Sequence, residues 1–101
     1  MADSRALPTA EQALKLDPES PAVQDTLGWI LVEQGQAKRG LELLGKALAQ
    51  IPKNPSIRYH YAVALARTGD QAGARKRFEL LIKDFPGSPE ALSAKAQLQS
   101  R

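Results

Sequence analysis

Three stretches of this chain follow one pattern: Asp17-Pro18-Glu19-Ser20-Pro21, Ile51-Pro52-Lys53-Asn54-Pro55 and Phe85-Pro86-Gly87-Ser88-Pro89. Each reads proline, any residue, serine or asparagine, proline, and the copies are evenly spaced, with the closing prolines at positions 21, 55 and 89. The first proline of a copy cannot continue a helix that arrives at it. Ser20, Asn54 and Ser88 suit a helix N-cap, because a side-chain oxygen accepts a backbone N–H that lacks a partner in the first turn. The second proline then falls at the first helical position, where its missing N–H costs little. Each copy therefore ends one helix and starts the next.

A second break lies between these stops. Gln34-Gly35-Gln36 and Thr68-Gly69-Asp70 are separated by the same step as the proline stretches. Glycine suits a left-handed C-terminal cap, and Asp70 can cap the helix that follows. The unit is helix, short turn, helix, proline connection. The spacing predicts helices near 21–34, 37–50, 55–68, 71–84 and 89–100. Before them, residues up to Leu16 form a further helix, starting either at Ser4 with Pro8 in its first turn or at Thr9, where Thr9 and Gln12 have capping-box spacing.

Apolar residues recur with helical period. The first helices carry Val23, Leu27, Ile30 and Leu31, then Ile57, Tyr61, Ala64 and Leu65. The second helices carry Leu41, Leu44 and Leu48, then Phe78, Leu81 and Ile82. Steps of three and four place one apolar stripe on each helix. Strand-like alternation is missing, so the chain is read as all-α.

Composition narrows the chemistry. The 101 residues suffice for one small domain, with 43% hydrophobic and 25% charged residues. Cysteine is absent, which removes disulfides and thiolates. The net charge of +3 is too small to point to nucleic acid by itself. The N-terminus lacks the basic, apolar and small-residue regions of a signal peptide. His60 is the only histidine and has no ligand set at metal spacing. No phosphate-cradling glycine loop or nucleophile elbow is present. An enzyme, a cofactor and a metal are therefore not expected. The basic runs Lys38-Arg39 and Arg75-Lys76-Arg77 fall on second helices and read as solvated faces, with anionic-surface binding as the minor alternative.

With a helix-turn-helix unit of this length, the sequence resembles the tetratricopeptide-repeat (TPR) family. Leu27, Gly28 and Leu31 stand at the family's Leu-Gly-Tyr positions, and Gly40, Leu44 and Pro52 at its Ala, Phe and Pro positions. Tyr61, Ala62, Leu65, Ala74, Phe78 and Pro86 repeat the set. Gln24 and Arg58 depart from it, standing where the pattern has Trp, and Gly40 lowers helix propensity. The resemblance implies an α-solenoid of antiparallel helix pairs in a right-handed superhelix. The expected divisions are 1–20 as the second helix of a preceding partial unit with its connection, 21–54 and 55–88 as repeats, and 89–101 as a terminal capping helix or half repeat. A finer resemblance of Asp25–Leu31 and Ile57–Ala66 is to the last repeats of large bacterial TPR proteins of the exosortase (PEP-CTERM) system. It implies a C-terminal piece of an exported, lipid-anchored parent.

The family lines its concave groove with the first helix of each unit. The resemblance therefore places Asp25, Trp29, Val32, Glu33, Tyr59, His60, Val63 and Arg67 in a groove for a peptide or partner protein. Trp29 is the sole tryptophan, and it either lines that groove or packs as an enlarged core. Asp25, Trp29 and His60 would not hold a terminal carboxylate, which argues against binding chaperone tails. The expected function is a non-catalytic interaction scaffold. The alternative is self-association, a homodimer included, through end faces bearing Leu92 and Leu98, or Leu7, Leu14 and Leu16.

Overall fold

The computed structural model describes residues 5–100. It is all-helical there, with six helices: α1 (Ala6–Leu16), α2 (Pro21–Glu33), α3 (Ala37–Gln50), α4 (Pro55–Arg67), α5 (Gln71–Asp84) and α6 (Pro89–Gln99). Each packs on its sequence neighbour, and α2 also packs on α4 and α4 on α6. The helices thus form two layers, with α2, α4 and α6 side by side in one and α1, α3 and α5 in the other.

The helix ends follow the local chemistry. Val23 N–H donates to Ser20 Oγ at 3.3 Å, Ile57 N–H to Asn54 Oδ1 at 3.0 Å and Ala91 N–H to Ser88 Oγ at 3.0 Å. Asp70 caps α5 in the same way through Gly73 N–H at 2.8 Å. Gly35 and Gly69 reverse the chain with φ of 89° and 102°, which a β-carbon disfavours. Helix α1 starts at Ala6 with Pro8 in its first turn, so the start at Thr9 is not adopted. The alternative start at Ser4 lies outside the described residues.

The core forms two patches. One joins Val32, Leu44, Ala62, Val63, Phe78, Leu81 and Ala94 across α2 to α6. The other joins Ala10, Leu27, Leu31 and Leu43 across α1 to α3. Small residues set the closest approach. A β-carbon on Gly40 would stand 2.6 Å from Gly28 O, and one on Gly28 would stand 2.8 Å from Leu44 Cγ. Gly40 was expected only to weaken its helix. It is the residue that lets α3 close on α2.

Gln24 stands where the family pattern has Trp, and it is 1% exposed. Its Nε2 donates to Pro18 O at 3.0 Å, and its Oε1 accepts from Gln50 Nε2 at 3.0 Å. A buried amide needs such partners. Here they tie the proline connection to the end of α3.

Candidate functional site

The layer of α2, α4 and α6 carries an aromatic cluster. Trp29 and His60 stack with ring centroids 4.3 Å apart and planes at 21°. Tyr59 meets Trp29 at 6.4 Å and 51°, and reaches inward to Phe78 at 5.9 Å. Such offset and tilted arrangements are favoured by aromatic quadrupoles. The residues come together because α2 and α4 are equivalent helices, so positions about one repeat apart in the chain become neighbours.

Polar contacts hold the rings. His60 Nδ1 lies 2.7 Å from Asp25 Oδ1, each side chain being about one-fifth exposed. Against a carboxylate, Nδ1 is the donor. Gln97 Nε2 donates to Tyr59 Oη at 3.1 Å, and Ser56 Oγ donates to Glu90 Oε2 at 2.8 Å. These bonds cross from α2 to α4 and from α4 to α6. Trp29 packs against the core and remains half-buried.

Of the residues assigned to the groove by sequence, Asp25, Trp29, Tyr59 and His60 come together on this face. Arg67 is exposed and reaches Val32 O at 3.4 Å, while Glu33 is exposed at the end of α2. Val32 and Val63 require correction, because they are 0% and 2% exposed. Both turn into the interior, where Val32 packs close to Gly40. Gln97 and Glu90 belong to the site's scaffold and were missed. Complementary polar residues at equivalent positions of successive units, such as Ser56 and Glu90, were the available signal.

The end faces also differ from expectation. Leu16 and Leu92 are exposed, at 77% and 67%, but Leu7, Leu14 and Leu98 pack against the core patches. The basic residues Arg75, Lys76 and Arg77 are exposed, and the Arg77 guanidinium lies over the Tyr61 ring at 5.0 Å. Arg39 is not a free surface charge, since it forms a two-pronged pair with Glu11 at 2.5 and 2.7 Å. That hydrogen bond draws the Glu11 carboxyl below its ordinary pKa and raises that of Arg39. Among the described residues no helix is long and apolar enough to cross a membrane.

Paired helices stacked in register, with a shared face of equivalent helices, define a helical-repeat scaffold, a class that serves protein interaction in general. A Tetratricopeptide repeat family profile matches residues 31–98, and the chain belongs to that family. No curated protein matches the chain in a sequence comparison.

Proposed function

We propose that this is a non-catalytic binding module which grips an extended segment or helix of a partner protein on the α2–α4–α6 face. The stacked Trp29–His60 pair carries the reading. Aromatic side chains anchor interfaces because they bury large areas while keeping a polar edge. Asp25 and Gln97 hold His60 and Tyr59 before any ligand arrives, which lowers the ordering cost of binding. Glu33 and Arg67 supply charges of both signs at the C-terminal ends of α2 and α4. On this reading the face is the concave groove of an array with repeats at 21–54 and 55–88.

The test is peptide selection against the immobilised chain, followed by affinity measurement on Trp29→Ala. The variant should bind an enriched peptide at least tenfold more weakly, with an unchanged far-ultraviolet circular dichroism spectrum. Equal affinity would overturn the assignment. Self-association is the second reading, supported by the exposure of Leu16 and Leu92. A single monomeric species in sedimentation velocity at high concentration would remove it.

A further inference from the structure

Asp25 and Glu90 flank the aromatic cluster without cationic partners. Asp25 is one helical turn before Trp29 on α2, and Ser56, which holds Glu90, is one turn before Tyr59 and His60 on α4. Residues so spaced share a helix face, so both carboxylates lie on the N-terminal side of the rings. Asp25 Oδ1 accepts from His60 Nδ1 at 2.7 Å, and Glu90 Oε2 accepts from Ser56 Oγ at 2.8 Å. A hydroxyl brings no charge, and neither does an imidazole in its neutral form. These hydrogen bonds fix the two carboxylates in place and leave their charge uncancelled.

The cations of the chain lie elsewhere. Glu11 and Asp84 are met by Arg39 and Arg58, whereas among the described residues no lysine or arginine stands within ion-pair distance of Asp25 or Glu90. Arg58 turns from the rings to Asp84 and the Phe85 ring. Lys95 stands one repeat after Tyr61, a position that faces α3 and α5. Arg67 stands at the C-terminal end of α4. In the opposite layer α3 and α5 together carry seven lysines and arginines against three carboxylates. The chain is basic as a whole but acidic around its aromatic cluster. Such a distribution draws a positive ligand to one face and repels it from the other.

The rings favour the same ligand. A cation over an indole is attracted by the ring's quadrupole, and a carboxylate strengthens any hydrogen bond it accepts from that cation. Trp29 and Asp25 are neighbours on one side of α2, so a single side chain can use both. Arginine fits best, because its planar guanidinium stacks on a ring and still has donors to spare.

On the assignment of α2, α4 and α6 as the binding face, we propose that the partner protein presents a basic segment there. An arginine or lysine of that segment lies along the exposed part of Trp29 with its charge at Asp25, and further positive charge is directed to Glu90.

A random nonapeptide library is selected at pH 8, where an ordinary imidazole is neutral, on the native chain and on Asp25→Asn, which keeps an acceptor for His60. The native chain should enrich peptides bearing arginine or lysine. Replacing that residue of the best binder by its uncharged analogue, citrulline or acetyl-lysine, should weaken binding to the native chain at least tenfold. The same replacement should weaken binding to Asp25→Asn at most threefold. Should Asp25→Asn lose its helicity, Glu90→Gln gives the same comparison from α6. No enrichment of basic peptides, or an equal penalty on native chain and variant, would overturn the proposal. In that event, binders that weaken at least tenfold on Trp29→Ala leave this face as the binding site, whereas binders indifferent to Trp29→Ala remove it as well.

Discussion

Gly40 and Gly45 are a turn and a half apart on the same helix, and their substitution by alanine should have opposite effects. Alanine is the better helix former by about 1 kcal/mol. At Gly45 the new β-carbon would meet only Tyr61 Cε1 at 3.5 Å, an ordinary contact. Gly45→Ala should therefore stabilise the chain by about 0.5–1 kcal/mol. At Gly40 the β-carbon would press on the backbone oxygen of Gly28 at 2.6 Å, and backbone does not yield cheaply. Gly40→Ala should cost about 1–3 kcal/mol, as overpacking does. Urea unfolding of both variants checks the pair, and a stabilised Gly40→Ala would contradict the close approach of α2 and α3. Gly28 was legible as a packing glycine from the family pattern. Gly40 was not, because propensity alone cannot say what a side chain would strike. Gln24 was hidden for a related reason, since its bonding partners, Pro18 and Gln50, lie on separate parts of the chain.

The proline connections made the helix boundaries readable, because capping is local chemistry. Removing the Asn54 cap by Asn54→Ala should cost about 1 kcal/mol, measurable as a lower thermal midpoint, whereas a midpoint unchanged by the substitution would show that Pro55 alone sets the start of α4. The ion pair that links α1 to α3, Glu11 with Arg39, is a long-range contact and was not legible. Its pH behaviour follows from the direction of the shift. Glu11 has a lowered pKa in the folded chain, chiefly through its hydrogen bond to Arg39. The pair therefore adds stability above the unfolded carboxyl value of about 4.3, and loses it as pH falls through the folded value. Both side chains are substantially exposed, so the contribution at pH 7 should be at most about 1 kcal/mol. A double-mutant cycle with Glu11→Gln and Arg39→Ala should show that coupling at pH 7, and the coupling should shrink as the pH falls through the folded carboxyl's value. Coupling of undiminished size in acid would contradict a charge-assisted pair.

At the scale of the whole molecule, the regular repeat is what made the fold readable, because each unit buries the face its neighbour presents. The same period brought Asp25 within reach of His60 and made equivalent positions on α2, α4 and α6 adjacent. The aromatic face was legible to that extent. The assignment of Val32 and Val63 failed because a helix inside a two-layer stack meets neighbours on two sides, and a single apolar stripe underestimates what is covered. The partner of each polar residue also depended on side-chain reach, which periodicity does not specify. The central claim, that the face around Trp29 receives the partner, has a direct observable. The chain has one tryptophan, so its proton–nitrogen correlation spectrum contains a single indole N–H resonance. Adding a peptide selected on the chain should shift that resonance, together with backbone amides of α2 and α4 around Asp25 and His60. A peptide that binds while the indole resonance stays in place, with the changes confined to α1 or to the basic face of α5, would contradict the account.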